Sequence, residues 1–121
     1  MGFVKFTKTK SRIGTPKVSI WSRGQIGFNQ GAVTHYEIDK EKVSYAVLYF
    51  DKDRNMIGIE LTNDATAEGA SKLIFREGGG VSFSAIPFLK TFGIDYSETH
   101  QFNVEYDNKS ELYVVDLKSG D

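Results

Sequence analysis

Two stretches of the chain decide the fold: residues 17–28 (KVSIWSRGQIGF) and residues 72–83 (KLIFREGGGVSF). At an offset of 55 they share an initial lysine, a central glycine, an apolar residue and a final phenylalanine. After one inserted residue, matches continue at an offset of 56: Tyr36 with Phe92, Ile38 with Ile94, Asp39 with Asp95, Phe50 with Tyr106, Asp51 with Asp107 and Leu61 with Leu117. Agreement at apolar and turn positions with a single insertion predicts a tandem duplication.

Each copy shows the same succession of patterns. A short apolar run, a glycine-bearing turn and a second short run predict two strands, at 18–21 and 25–28, then at 73–75 and 80–83. Asn29 and Ser84 are predicted N-caps for helices 30–36 and 85–92, and Gly93 is predicted to end the second helix. Two further strands are predicted in each copy, at 44–50 and 57–61, then at 101–106 and 112–117, joined by Asp/Asn-rich turns.

The repeats span about 17–61 and 72–117, with an N-terminal basic arm at 1–16 and a small, polar linker at 62–71. A unit of about 45 residues lies near the lower limit for an independent hydrophobic core. The two copies are therefore expected to share one core within a single compact domain, residues 1–121. The predicted fold class is mainly β with two short α-helices.

Composition excludes several classes of protein. Of the 121 residues, none is cysteine and two are histidine, which argues against disulfides, thiolate chemistry and a histidine-built metal cluster. No apolar run reaches the ~20 residues that a membrane-spanning helix needs. The sequence therefore predicts a cytoplasmic protein with no membrane partner. No nucleophile, phosphate-loop or metal motif is complete, so neither an enzyme nor a bound cofactor is expected.

The net charge of −1 conceals an uneven distribution. Residues 1–36 contain six cations and no acid: Lys5, Lys8, Lys10, Arg12, Lys17 and Arg23. The remainder contains nine cations and sixteen acids, a net charge of −7. Cations concentrated at one end of the chain indicate a local anion-binding surface or a solvated terminal arm.

The chain resembles the SpoVT/AbrB swapped-hairpin family in three successive features: the run 24–29 (GQIGFN), a short helix ending at 36–39 (YEID), and two following strands. In the second copy, Phe92-Gly93-Ile94 resembles the family's helix ending more closely than residues 36–39 do. The tandem arrangement is similar in plan to the MraZ-like branch. The resemblance implies an intrachain pseudo-dimer forming a swapped-hairpin barrel. It also implies a DNA-binding transcriptional regulator or antitoxin-like protein with double-stranded DNA as its partner.

The resemblance and the basic N-terminus together give a predicted nucleic-acid-binding set: Lys5, Lys8, Lys10, Arg12, Lys17, Arg23, Gln25 and Asn29. Arg23, Gln25 and Asn29 have side chains that can address base edges. The family's paired helix arginines correspond here to Val33 and Thr34, then to Leu89 and Lys90. Their loss favours the alternative, a protein-interaction or structural module that binds a protein partner or forms a homo-oligomer. Trp21, in an apolar run, is predicted to pack in the core.

Overall fold

The computed structural model of the protein describes residues 15–119. In the first half, β1 is Lys17–Ile20, β2 is Gln25–Phe28, α1 is Gln30–His35, β3 is Tyr45–Asp51 and β4 is Met56–Thr62. In the second half, β5 is Ser71–Lys72, β6 is Ile74–Phe75, β7 is Val81–Ser84, α2 is Ile86–Thr91, β8 is His100–Asp107 and β9 is Leu112–Asp116, followed by a 3-10 turn at Leu117–Ser119. The prediction of a mainly β fold with two short helices is confirmed.

The strands form a nearly closed antiparallel barrel. Their order is β5-β3-β4-β9-β8-β1-β2-β7-β6, so β5 and β6 lie at opposite ends of the sheet. These two strands are separated in sequence only by Leu73, whose backbone N–H donates to the Ser44 carbonyl over 2.8 Å. The segment therefore changes partner at Leu73, from β3 to β7, and thereby joins the two ends.

Strands from the two halves of the chain pair with each other throughout the barrel. Strand β1 pairs with β8, and β5 pairs with β3. Strands β2 and β7 pair in antiparallel register, as do β4 and β9. The hydrogen bonding of each half is therefore completed by the other half.

The hydrophobic core draws on both halves as well. Inward-facing residues alternate along the strands, as a barrel wall requires. The largest fully buried apolar side chains are Val18, Ile20, Ile26, Phe28, Ile57, Ile59, Val81, Phe83, Leu89 and Val115. Burial of a side chain of this kind contributes about 1.5–3 kcal/mol to the free energy of folding. Neither half contains the complete core.

The starts of the two helices differ from each other. Asn29 caps α1 as predicted, because its Oδ1 accepts from the Ala32 N–H at 2.7 Å. The prediction that Ser84 caps α2 is wrong, since the N-cap is Ala85 and no side chain bonds there. Ser84 instead remains in β7, opposite Gln25 of β2. Gly93 ends α2 with a φ of +65°, as predicted.

Two further predictions need correction. Trp21 does not enter the core: it follows β1, is half-buried and lies on the outer side of the barrel against Gly27. The physical reason is the alternation of β1, in which Val18 and Ile20 already point inward. The last predicted strand, 112–117, ends at Asp116, where the chain enters the 3-10 turn.

Candidate nucleic-acid interface

A cleft lies on the outer side of the barrel, where β2 and β7 pair. Ile26 and Phe28 point into the core, so the residue between them, Gly27, faces outward, and it pairs with Ser82 of β7. Neither Gly27 nor Ser82 has a side chain large enough to fill the surface above the strands. Larger side chains from neighbouring segments, those of Trp21 and Arg76, can therefore lie over this row.

Trp21 forms one side of the cleft. Its backbone N–H donates to the Gln25 carbonyl at 2.9 Å, which closes the β1–β2 turn. Its indole ring lies directly on Gly27: a Cβ placed on that glycine would be 2.5 Å from ring atoms Cη2 and Cζ3. Only glycine leaves room for the ring at this height, so residue 27 fixes the position of the indole.

Arg76 also lines the cleft. It follows β6, is exposed, and its Nε donates to Ser82 Oγ at 3.0 Å. Ser82 is completely buried beneath this contact. The hydrogen bond orients the guanidinium while its remaining N–H groups stay available. Arg76 was absent from the predicted set. The predicted repeat contains a signal for it, because Arg76 is 55 residues after Trp21 and Ser82 is 55 residues after Gly27.

Arg23 and Gln25 come from the turn and strand beside Trp21. The Ser22 N–H donates to Thr99 Oγ1 at 3.2 Å, which ties this turn to the start of β8. The cleft encloses about 420 Å³. Its lining consists of Trp21, Ser22, Arg23, Gln25, Arg76 and Thr99. The structure thus brings two residues of the predicted set, Arg23 and Gln25, together with an indole and a second guanidinium.

The two arginines are not neutralised by neighbouring carboxylates. Within residues 15–119, neither Arg23 nor Arg76 forms an ion pair. Glu77 adjoins Arg76 in the sequence and Glu98 adjoins Thr99, yet neither glutamate lines the cleft. The result is a small basic surface with an aromatic side, suited to an anionic ligand that also contains rings.

The other predicted residues lie elsewhere or outside the described part of the chain. Asn29 Oδ1 accepts from the backbone N–H groups of Lys17 and Ala32, and its Nδ2 donates to the Thr15 carbonyl at 3.2 Å. Lys17 Nζ donates to Asn103 Oδ1. Both residues are at the end of β1 opposite Trp21, and neither lines the cleft. Lys5, Lys8, Lys10 and Arg12 lie outside residues 15–119.

Shifted pKa values are found away from the cleft. Burial raises the pKa of Tyr36 and of Tyr113, and the bond that Tyr49 Oη donates to Glu60 (2.6 Å) raises the pKa of Tyr49. Turn hydrogen bonds lower the pKa of three exposed aspartates, Asp64, Asp95 and Asp107. Each shift has a local structural cause. Within residues 15–119, no group of three His, Asp or Glu side chains is placed to bind a metal ion.

The surface of α2 differs from that of α1. Ile86 at its start is 36% exposed, and Phe92 at its end is 47% exposed. The corresponding residues of the first half are Gln30 and Tyr36, and the Tyr36 hydroxyl donates to the Val104 carbonyl. The second helix therefore exposes two large apolar side chains, whereas Gln30 and Tyr36 at the first helix have polar groups.

Comparison with known proteins gives no match: no family model, no curated protein and no solved structure corresponds to the chain. Between residues 15 and 119, neither helix is long and apolar enough to cross a membrane.

Proposed function

We propose that this protein is a DNA-binding regulator of the AbrB type, and that the cleft between Trp21 and Arg76 is part of its DNA-binding surface. The observation that supports the proposal is the presence in one cleft of two guanidinium groups, from Arg23 and Arg76, that have no carboxylate partner among residues 15–119. Arginine binds phosphate through its planar pair of N–H groups. Gln25, in the same cleft, has an amide able to address a base edge.

The proposed contacts have a measurable electrostatic consequence. Each phosphate neutralised on a duplex releases condensed counterions and adds about −0.9 to the slope of log affinity against log salt. Arg23 and Arg76 together give a slope of about −1.8. The arm cations Lys5, Lys8, Lys10 and Arg12 belong to the same proposal and make the slope steeper for each one that binds phosphate.

The proposed barrel is a duplicated swapped-hairpin pseudo-dimer, as the resemblance implies. Equivalent hydrogen bonds in the two halves support this architecture. Trp21 N–H donates to the Gln25 carbonyl, and Arg76 N–H, 55 residues later, donates to the Gly80 carbonyl, both at 2.9 Å. The turn glycines that follow, Gly24 and Gly79, have φ values of +85° and +96°.

Contacts between the halves are equivalent as well. A Cβ on Gly24 would lie 2.2 Å from Ile86 Cγ1, at the start of α2. A Cβ on Gly79 would lie 2.7 Å from Gln30 Cγ, at the start of α1. The first turn of each half therefore packs against the helix of the other half, as expected when two hairpins are exchanged.

Separate expression of residues 1–64 and 65–121 tests the architecture. Each fragment lacks strand partners that the other provides, so each is expected to be unfolded alone, and a mixture is expected to regain strand circular dichroism. Fragments that fold independently and do not associate would contradict the proposal.

Titration of a fluorescein-labelled DNA duplex with the full chain tests the function. Anisotropy should rise at 20 mM salt, and the affinity should fall by at least about tenfold between 50 and 200 mM salt, which is the fall expected for two phosphate contacts alone. The absence of binding at 20 mM salt would overturn the proposed function.

A second candidate function, a protein-interaction module, is favoured by the exposed Ile86 and Phe92. Large apolar side chains exposed at a helix are found at sites that contact another protein or another copy of the chain. Phe92→Ser should then reduce self-association in sedimentation velocity or abolish capture of a partner from nuclease-treated extract. Tyr49→Ser, at a 46% exposed aromatic residue of β3, is the matched control.

A further inference from the structure

We infer that the cleft accepts one unpaired nucleotide, with its base stacked against Trp21 and its phosphate bound by Arg23 and Arg76. This inference rests on the proposed function and specifies the form of nucleic acid that the cleft binds: single-stranded or locally opened DNA in preference to an intact duplex.

The position of Trp21 favours contact with an unstacked base. The indole lies against the barrel wall on Gly27 and lines the cleft. In a duplex the faces of the bases are covered by their neighbours, so an outside protein reaches only base edges and the backbone. An aromatic ring held against the barrel wall can contact the face of a base only when that base is unstacked.

The size of the cleft favours a single nucleotide over a duplex. Its volume of about 420 Å³ lies within the range of clefts that enclose a single small-molecule-sized group. A B-DNA duplex, whose major groove alone is about 12 Å wide, can only rest over such an opening. A single base with its sugar can enter.

The same cleft contains two guanidinium groups as well as the aromatic ring. Arg76 is oriented by its bond to Ser82, while Arg23 is exposed on the β1–β2 turn. Two guanidiniums beside one aromatic ring match a nucleotide, in which a phosphate is attached within a few bonds of a planar base. Glu77 and Glu98 adjoin lining residues in the sequence but do not line the cleft.

The remaining lining residues indicate weak sequence preference. Gln25 and Thr99 each have a side chain that can donate and accept hydrogen bonds. Such groups adapt to more than one base edge, and stacking is likewise tolerant of base identity. We therefore expect the preference for unpaired DNA to exceed any preference for sequence.

Trp21 is the only tryptophan in the chain, so its fluorescence reports directly on the cleft. The test uses three 12-nucleotide probes: a mixed-sequence single strand, the duplex formed with its complement, and a single strand of abasic sites with the same number of phosphates. The intact single strand should quench Trp21 emission and bind about tenfold more tightly than the other two probes, as expected for stacking of one base.

Two variants distinguish stacking from a structural role. Trp21→Leu should reduce binding of the labelled single strand about tenfold, because the stacking surface is lost. Tyr49→Leu, at an exposed aromatic outside the cleft, should leave this affinity unchanged. Strand circular dichroism of each variant reports its folding, and the quenching test on the unmodified chain does not depend on either variant.

The outcomes separate this inference from the proposed function. Duplex binding of equal or greater affinity, with Trp21 emission unchanged by the single strand, would overturn the unpaired-nucleotide inference and leave the proposed function standing. Equal binding of the intact and abasic strands would also overturn it, because the bases would then contribute nothing. No binding of any probe at 20 mM salt would overturn both.

Discussion

Asn29→Ala is the substitution whose effect the structure specifies most fully. The sequence places Asn29 in the DNA-binding set, but in the structure its side chain is already bound within the protein. Oδ1 accepts from Ala32 N–H at 2.7 Å and from Lys17 N–H at 3.1 Å. The first bond caps α1, and the second fixes the start of β1. Alanine therefore removes two acceptor bonds from partly buried backbone groups.

The magnitude follows from those two bonds. Loss of an N-cap side chain costs about 1 kcal/mol of folding free energy, and leaving the partly buried Lys17 N–H without an acceptor costs about another 1 kcal/mol. We expect a total of about 2 kcal/mol and a fall in Tm of roughly 6–10 °C for a chain of this size. The bond from Nδ2 to the exposed Thr15 carbonyl adds little.

Urea denaturation followed by circular dichroism measures the change, with m expected to be unchanged. Ser84→Ala is the matched control, because Ser84 stands 55 residues after Asn29 but caps no helix and is exposed. Its effect should stay within about 0.5 kcal/mol, the usual range for an exposed residue. An Asn29→Ala variant as stable as the unmodified protein, or a Ser84→Ala variant equally destabilised, would refute the reasoning.

Two further changes test the turns and the aromatic packing. Gly24→Ala should destabilise the protein by at least about 2 kcal/mol in the same urea assay, because φ is +85° and the new Cβ collides with Ile86 of α2. Gly78 has open space around it, so the control Gly78→Ala should cost less than about 1 kcal/mol of folding free energy. Tyr113→Phe should reduce the loss of stability at alkaline pH. Burial raises the pKa of Tyr113 in the folded protein above its ordinary value of 10.0, so the stability it provides is complete below that value and is lost as the pH rises through the folded-state pKa. Measuring the Tm of both proteins from about pH 9 to pH 11 tests this prediction. If the Tm of the variant falls with rising pH as steeply as that of the unmodified protein, the prediction is contradicted.

Local signals were sufficient to predict most of the secondary structure. Glycine turns, the Asn29 cap and the alternation of apolar residues all act within a few residues of where they occur. The Ser84 prediction failed because a long-range interaction competes with the cap: Ser84 pairs with Gln25 in the β2–β7 ladder, which extends the strand. The break at Leu73 likewise depends on barrel closure, where the segment changes from β3 to β7.

The candidate site was predicted only in part. Arg23 and Gln25 follow from the basic start of the chain and the turn motif. Trp21 was assigned to the core from the apolar character of its run, although the alternation of β1 points it outward. Arg76 was missed because its sequence neighbours are an acid and three glycines. The place of Arg76 beside Trp21 depends on the pairing of Gly27 with Ser82, two residues that are 55 positions apart in the sequence.

The most direct test of the account is the salt dependence of duplex binding by an Arg23→Gln/Arg76→Gln double variant. The control is Lys52→Gln/Arg54→Gln, which removes the same charge from the exposed β3–β4 turn, away from the cleft. The account predicts that the arginine pair in the cleft accounts for about −1.8 of the slope of log affinity against log salt, and that this share disappears in the first variant and persists in the second. Equal slopes for the two variants would contradict the assignment of DNA binding to this cleft.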